Sequence, residues 1–302
     1  TILSSSGANE ILTYNFVHGN LLDAFGQERE KALQLSNALS PDLQYYRMTL
    51  LPNVLEKVHA NVKSGYNEFA LFELGKTHNN FHNDEADVNL PKECNFLAFA
   101  YTADAKTAKK KQGAAYFQAQ KYLDFLLGKL GIAYSLKPLG EEVPDFPVMK
   151  PYEISRSAYV LDEKGEILGM IGEINPSAAQ KLKLPDYTAG FELDTDELAR
   201  RQKASNYIAS SKFPKIEQDI SLRVPVGVSY VTLLHCLNKA LAEQKSEDAL
   251  ATFVPLDIYT ADAEPTKNMS FRLTIASQNR TLTAAEVNEL LDSVGSVAKT
   301  EL

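Results

Sequence analysis

The sequence predicts an α+β protein in which a large antiparallel sheet with flanking helices precedes a smaller β-α-β-β-α domain. Strand-like apolar runs recur along the chain and only a few helical stretches interrupt them. The chain of 302 residues is longer than a domain with a single hydrophobic core usually is. Small polar residues ending in Phe213-Pro214 mark a boundary, so we expect one domain over residues 1–210 and a second over 211–302.

The first domain has six predicted strands and two predicted helices. The strands are expected at residues 9–17, 69–75, 95–101, 158–161, 167–174 and 189–193. One helix is expected at 51–63, where Pro52 stands near the first helical position. The other is expected at 114–130 and ends at Gly131, and its apolar stripe predicts a core or subunit contact. Many strands with few helices favour an antiparallel sheet.

The second domain alternates strands and helices in the order β-α-β-β-α. Strands are expected at 219–225, 251–259 and 269–275, and Pro255 predicts a bulge or a sheet edge in the middle one. Ser229 is placed to cap the first helix, and Thr283 with Glu286 forms a capping box for the second. One more strand completes a ferredoxin-like unit. We expect that strand to be either disordered or absent from this chain.

The composition excludes several classes of protein. Hydrophobic residues make up 44% and charged residues 23%, which is typical of globular proteins and excludes disordered and collagen-like chains. No apolar run approaches the roughly 20 residues that cross a bilayer, and Thr1–Gly7 has no signal-peptide pattern. We therefore expect a cytoplasmic protein, with Cys94 and Cys236 as reduced thiols. The net charge of −8 argues against a freestanding nucleic-acid binder.

Motifs for common catalytic chemistry are missing from the sequence. There is no G-x-x-x-x-G-K-[ST], G-x-G-x-x-G or G-x-S-x-G pattern. His78 and His82 stand four residues apart near two acids, as zinc ligands on a helix do. Three Asn in the same window favour a solvated polar loop instead, so no metal site is expected.

A series of short motifs runs in order from about residue 7 to residue 302 and resembles the β subunit of bacterial phenylalanyl-tRNA synthetase. In the first domain the motifs are Arg47-Met48-Thr49-Leu50-Leu51-Pro52, Phe72-Glu73-Leu74-Gly75, Ile171-Gly172-Glu173-Ile174-Asn175-Pro176 and Gly190-Phe191-Glu192-Leu193-Asp194. In the second they are Phe213-Pro214, Asp219, Asp257-Ile258-Tyr259, Phe271-Arg272-Leu273 and Arg280-Thr281-Leu282-Thr283. The resemblance implies a fragment of a longer subunit, with a class II synthetase-like sheet followed by a ferredoxin-fold anticodon-binding domain.

A class II catalytic sheet needs an Arg on a central strand to hold the α-phosphate of ATP. Here the matching strand carries Glu73, and the last strand carries Glu192 and Asp194 with no Arg before Arg200. We therefore expect a catalytic-like module without catalytic residues or a cofactor of its own.

The resemblance implies that the α subunit of an α2β2 assembly holds the active site, that this module supports it, and that the whole enzyme uses ATP and Mg²⁺ to charge tRNA(Phe). Two alternatives remain. One is a self-sufficient class II enzyme that uses Arg47 or Arg156 for the phosphate, and the other is a regulatory module whose ferredoxin-like domain senses an amino acid.

The second domain supplies the candidate tRNA contacts, although residues 213–302 carry 8 Lys and Arg against 12 Asp and Glu. The candidates are Lys215, Arg223, Arg272, Ser277, Asn279 and Arg280. The competing interpretation is that Arg272 pairs with Asp219 and Arg280 caps a turn. Glu217-Gln218 and Ala276 depart from the family pattern and weaken the anticodon assignment.

A run of four lysines precedes the helix predicted at 114–130, at positions 106, 109, 110 and 111. It is either a phosphate-contacting patch or a solvated face.

Overall fold

The computed structural model describes residues 1–80, 83–84, 87–111, 113–140, 144–203, 209–260 and 265–301. The chain forms two compact units, Thr1–Asn206 and Tyr207–Leu302. Each unit has its own hydrophobic core and is described separately.

Unit 1 is built on a seven-stranded sheet. The strands of the unit are Asn9–Glu10 (β1), Phe16–Val17 (β2), Tyr45–Tyr46 (β3), Glu68–Thr77 (β4), Cys94–Ala103 (β5), Tyr134–Pro138 (β6), Tyr152–Asp162 (β7), Ile167–Ile174 (β8) and Tyr187–Asp194 (β9). The sheet has the order β1-β4-β5-β9-β8-β7-β6, and only the β1–β4 pair is parallel. β2 and β3 form a separate antiparallel pair.

Helices cover both faces of this sheet. They are Ile2–Ser5 (α1), Gly19–Ala24 (α2), Leu51–Glu56 (α3), Val58–Lys63 (α4), Ala105–Ala108 (α5), Ala115–Leu130 (α6), Pro176–Leu182 (α7) and Thr195–Arg201 (α8), with 3-10 turns at Arg29–Lys31, Pro41–Leu43 and Pro147–Met149. α6 packs on β5, β8 and β9, while α3 packs on β5 and β9 from the other side.

Each face of the sheet has a separate apolar cluster. On the α6 face, Phe99 and Phe191 stack with ring centroids 4.6 Å apart, and Leu123 and Leu127 of α6 are fully buried against the sheet. This confirms the predicted amphipathic helix, and Leu123, Leu126 and Leu127 of its apolar stripe are core, whereas Phe117 is 51% exposed. The helix ends as expected at Gly131, which adopts the left-handed conformation that favours glycine.

Two elements of unit 1 differ from the sequence prediction. The single strand expected at 9–17 is replaced by β1 and β2, which pair with β4 and β3, and between them Thr13 directs its N–H and hydroxyl to Glu73. The helix expected at 51–63 is interrupted at Lys57, whose N–H donates to Val54 three residues back rather than four. The chain is otherwise helical on both sides of that break.

Unit 2 is a three-stranded antiparallel sheet with two helices. Its elements are Ile216–Pro225 (β10), Tyr230–Gln244 (α9), Ala249–Thr260 (β11), Thr266–Ser277 (β12) and Ala284–Glu301 (α10). The strand order is β10-β12-β11, and both helices pack on one face of the sheet. Ser229 caps α9, and Thr283 and Glu286 form the predicted capping box. β11 is an edge strand with a register shift between Pro255 and Asp257, which confirms that interpretation of the proline.

Candidate functional site

The first candidate site lies on the α3 face of the large sheet, where β4 carries Glu73. Glu73 and Arg47 are buried, with 0% and 2% of their side chains exposed, and Arg47 Nη1 lies 2.9 Å from Glu73 Oε1. Thr13 donates its N–H and its hydroxyl to the same carboxylate, at 3.1 and 2.7 Å. Arg47 also donates to the Lys76 carbonyl at 2.9 Å. This guanidinium is therefore fixed inside the protein by its own neighbours.

The second buried carboxylate of this face belongs to Glu192 on β9. Its two oxygens accept the N–H groups of Leu50 and Leu51, at 3.0 and 2.7 Å. These amides open α3 and have no partner within the helix, so the carboxylate caps the helix from the sheet. Burial raises the pKa of Glu192 to about 7, while the two amides and Arg47 act in the opposite direction.

The two carboxylates are close in the sheet register. Glu73 pairs with Ala98 on β5, and Ala98 pairs with Glu192 on β9, so the acids flank one alanine on the same face. The sequence predicted acids on a face that repels a triphosphate. In the structure these two acids are buried and hydrogen-bonded instead, and the segment from Arg47 to Leu51 occupies the face above them.

The remaining acids of the last strand have structural partners. Asp194 caps α8 by accepting the N–H groups of Asp196 and Glu197, at 2.9 and 3.0 Å. Asp196 accepts from the Asn95 amide at 3.0 and 3.2 Å. Arg200, the first arginine after this strand, forms an ion pair with Glu197 in its own helix.

Arg156 is the other arginine that the sequence nominated for a phosphate. Its side chain is 68% exposed and its Nη1 lies 2.8 Å from the nearly buried carboxylate of Glu173. Both residues line a surface cavity of about 480 Å³ together with Glu153 and Asp186. Carboxylates outnumber the arginine at this cavity, although Lys183 also lines it.

The structure describes one of the two histidines that the sequence suggested as a possible zinc pair. His82 lies outside the described residues. His78 is buried, contrary to the solvated loop expected there, with its ring against Tyr46 and its Nε2 3.4 Å from Glu93. Across the described part of the chain, no three His, Cys, Asp or Glu side chains are grouped as metal ligands.

The second candidate site is the outer face of the unit 2 sheet, opposite its two helices. Across β10 and β12, Glu217 pairs with Thr274, Asp219 with Arg272, Ser221 with Ser270 and Arg223 with Asn268. The paired side chains of β10 and β12 on this face are polar, in contrast to the apolar inner face formed by Met269, Phe271, Leu273 and Ile275, and β11 adds the exposed Val254 beside Arg272.

Three of the six predicted tRNA contacts lie along the outer face of the sheet, and the other three lie in the turn after β12. Arg272 lies mid-sheet in a two-pronged ion pair with Asp219, at 2.7 and 2.9 Å, and this arginine lowers the pKa of Asp219. Arg223 lies at one end of the outer face and donates to Thr266 at 2.8 Å. Lys215 lies at the opposite end and forms an ion pair with Glu217.

The turn after β12 holds the other three predicted contacts. Ser277 is buried, donates to Asp248 and accepts the N–H groups of Asn279 and Arg280, at 3.0 and 3.2 Å. Arg280 is exposed and forms a 2.7 Å ion pair with Glu286. Ser277 thus organises the turn, and Asn279 and Arg280 are the members exposed to a ligand. The Arg272–Asp219 pair expected under the competing interpretation is present, whereas the Arg280 side chain, expected to cap a turn, pairs with Glu286 in the first turn of α10.

Sequence reasoning missed Tyr259, which is 62% exposed. Phe253 and Pro255 pair with inward positions of β12, so regular alternation would turn Tyr259 inward as well. The bulge at Leu256 shifts the parity by one residue, and Tyr259 pairs with Asn268 on the outer face. The row Arg223–Asn268–Tyr259 then combines a cation, an amide and an aromatic ring. Pro255 was the available signal, but it does not fix which residue is the extra one.

Comparison with protein families accounts for nearly the whole chain. Residues 1–195 match the family model described as phenylalanyl tRNA synthetase beta chain CLM domain, and residues 211–302 match the ferredoxin-fold anticodon binding domain.

No helix in the described part of the chain combines the length and apolar character needed to span a membrane.

Individual relatives agree with these models. The phenylalanine–tRNA ligase β subunits of Staphylococcus saprophyticus and Mannheimia succiniciproducens are 26% and 28% identical over 305 and 296 residues, which are 99% and 96% of this chain. The chain spans 36% and 35% of their lengths. The pyrrolysyl tRNA synthetase structure from Desulfitobacterium hafniense superposes with a TM-score of 0.49 at 14% identity, covering 66% of this chain and 64% of that one. By the match over residues 1–195, this chain belongs to the phenylalanyl tRNA synthetase beta chain family.

Proposed function

We propose that this chain is a non-catalytic part of a phenylalanine–tRNA ligase β subunit, which supports an α subunit and contributes to tRNA(Phe) binding during ATP-dependent aminoacylation. The observation that carries the proposal is the closed α3 face of the unit 1 sheet. There the best-placed arginine, Arg47, is engaged by Glu73, and Glu192 holds the N-terminus of α3 over the sheet.

Electrostatics make this face unsuited to nucleotide binding. A site for ATP requires cations that are free to meet developing negative charge. The buried arginine of this face, Arg47, is already paired with Glu73, so it is not free to meet a phosphate. A nucleotide would have to displace the Arg47–Glu73 pair and uncover an unpaired buried acid, which is strongly unfavourable. This supports a sheet that serves as a scaffold for a neighbouring active site.

Several finer assignments belong to the same proposal. We take the unit 1 sheet as class II synthetase-like, the domain boundary as residue 210, and unit 2 as a ferredoxin-like domain. The partner is the α subunit in an α2β2 assembly, ATP and Mg²⁺ act in the whole enzyme, and the location is cytoplasmic. The family match and the length of the relatives support these assignments.

The outer face of unit 2 is the tRNA-binding surface in this proposal. Bases stack on exposed aromatic rings and form hydrogen bonds with amides and guanidinium groups. Tyr259, Asn268 and Arg223 provide these three groups in one row. Lys215, Asn279 and Arg280 lie toward the other end of the sheet, with Arg272 between and Ser277 holding the turn.

The catalytic part of the proposal is tested by phenylalanine-dependent ATP–pyrophosphate exchange. The chain alone is expected to show none, and mixing it with the α subunit is expected to give a stable complex in size-exclusion chromatography. Exchange by the chain alone that disappears in Arg156→Ala would overturn the proposal in favour of a self-sufficient enzyme. Heat of phenylalanine binding by the chain alone would instead favour the amino-acid sensor.

The tRNA part is tested by replacing Tyr259. Tyr259→Ala is expected to weaken tRNA binding by the full chain about fivefold or more through lost stacking, while Tyr259→Phe keeps the ring and most of the affinity. Fluorescence anisotropy with labelled tRNA measures both. Equal affinities for the Ala and Phe variants would remove the outer face from the proposal.

A further inference from the structure

The lysine run of unit 1 forms a defined surface. Asp104 caps α5 by accepting the N–H of Thr107 at 2.7 Å, and the helical turn continues through hydrogen bonds from Lys110 to Thr107 and from Lys111 to Ala108, at 3.0 and 2.9 Å. The backbone of the run is therefore an ordered turn.

Three of these lysines share one side of the turn. Lys106, Lys109 and Lys110 have the spacing i, i+3 and i+4, which places side chains next to each other on a helical surface. All three are exposed, and none forms an ion pair with a carboxylate among the described residues. Like charges at this spacing destabilise a helix, so an anionic partner would relieve a repulsion that the chain itself leaves in place.

The acids next to this turn are already engaged. Glu68 accepts from Lys111 at 2.6 Å and from Tyr101 at 2.8 Å, and the ammonium group of Lys111 lowers the pKa of Glu68. Asp104 is used as the cap of α5. Elsewhere in unit 1, many lysines contact a carboxylate, including those at positions 31, 57, 76, 150 and 203. The Thr107 N–H and the nearby charge of Lys106 both lower the pKa of Asp104, and the four lysines at 106, 109, 110 and 111 still leave this turn with an excess of positive charge in a chain of net charge −8.

An exposed aromatic residue lies in the loop whose backbone is hydrogen-bonded to the residue that caps the lysine turn. The N–H of Asp104 donates to the Asn67 carbonyl at 2.8 Å, which ties the start of the lysine turn to the loop before β4. Tyr66 precedes Asn67 in that loop and is 60% exposed. Cations beside an exposed ring match the phosphates and unpaired bases of RNA. An acidic peptide would use the charge but not the ring.

From this arrangement we infer that Lys106, Lys109 and Lys110, with Tyr66, form a second RNA-binding surface on unit 1 that contacts tRNA phosphates independently of the unit 2 sheet. The inference rests on the proposed role in tRNA binding and adds a contact surface to it. Each ammonium group that meets a phosphate releases counterions, so its contribution appears in the salt dependence of binding.

The experiment compares tRNA binding by two triple variants of the full chain. Binding is measured at salt concentrations from about 0.05 to 0.3 M, which bracket physiological ionic strength. The test variant is Lys106→Gln, Lys109→Gln, Lys110→Gln. The control is Lys92→Gln, Lys137→Gln, Lys164→Gln, which changes the net charge equally at three other exposed lysines of unit 1. The test variant is expected to lose about 2–3 from the slope of log K against log salt, and about tenfold in affinity at 0.1 M. The control is expected to keep the slope within about 0.5.

The possible outcomes separate the inference from the proposed function. If the slope of log K against log salt falls equally in both triple variants, only net charge matters and the inferred lysine surface is overturned. If Tyr259→Ala weakens binding while the α5 triple behaves like the control, unit 2 binds tRNA and only the second surface is overturned. If the unaltered chain fails to bind tRNA, both fall. Competition by poly-glutamate as effective as tRNA at equal charge would overturn RNA as the partner. Equal thermal unfolding of the triple variants checks that folding is unaffected.

Discussion

Two arginine–carboxylate pairs, one in each unit, use the same chemistry in opposite surroundings. Arg47 and Glu73 are 2% and 0% exposed beneath α3, whereas Arg272 and Asp219 are 42% and 48% exposed on the unit 2 sheet. The buried pair is joined by Thr13 and by the Lys76 carbonyl. The exposed pair has water as its alternative partner.

The difference decides which arginine is available to a ligand. Removing one member of a buried pair leaves the other charged and without solvent, which is strongly unfavourable. An exposed pair is worth little, because water solvates both members once they separate. Arg272 can therefore exchange Asp219 for a phosphate at low cost, and Arg47 cannot leave Glu73. The family match alone does not reveal this contrast.

The largest expected effect follows from breaking the buried pair. Arg47→Met is expected to lower the free energy of unfolding of unit 1 by about 3–5 kcal/mol, because Glu73 is left buried without a counter-charge. Urea denaturation followed by circular dichroism measures the loss. The double variant Arg47→Met, Glu73→Leu removes both charges and is expected to recover most of it. A single variant as stable as the parent would show that the pair is not buried as described.

The next effect concerns the pH dependence of unit 1. The pKa of Glu192 is about 7 in the folded chain, above the usual value near 4.5, so the folded state binds a proton more tightly than the unfolded state. The contribution of Glu192 to the free energy of unfolding is therefore expected to be largest below about pH 4.5. It is expected to fall as pH rises toward about 7, by a few kcal/mol in order of magnitude.

Glu192→Gln isolates this contribution, since it removes the titration and keeps one oxygen to accept from α3. The difference in urea midpoint between parent and variant, measured from about pH 5 to about pH 8, is expected to change most between about pH 5 and 7. Parallel curves for the two proteins would contradict a raised pKa at this position.

The smallest effect is expected at the exposed pair. Arg272→Ala is predicted to change the stability of unit 2 by about 1 kcal/mol or less, because Asp219 regains water when its partner is lost. Asp219→Ala serves as the matched control and is expected to behave alike. A loss comparable to that of Arg47→Met would mean that exposure does not separate the two pairs.

The sequence predicted the elements whose signals are local. Gly131 at the end of α6 and the Thr283–Glu286 capping box both depend on residues within a few positions, and the structure has both. The family assignment rested on motifs spread over the whole chain, and the family models confirm it.

Features that depend on distant partners were not predicted. Glu192 meets the amides of Leu50 and Leu51 across about 140 residues, and Glu73 meets Arg47 across 26. From the sequence, both acids were noted because they stand where a phosphate-binding arginine was expected. Their structural role depends on the groups that they contact. The outward position of Tyr259 was likewise hidden, because one inserted residue in β11 reverses the alternation.

The Arg47–Glu73 pair also constrains how this family member can change over evolutionary time. A side chain at Gly75 would meet the Arg47 guanidinium at 2.3 Å, so the arginine also restricts the neighbouring strand. Each single replacement at Arg47, Glu73 or Gly75 lowers stability before it yields any new binding capacity, and proteins have little stability to spare. A lineage with this arrangement therefore gains a nucleotide site in this sheet only through several coordinated substitutions.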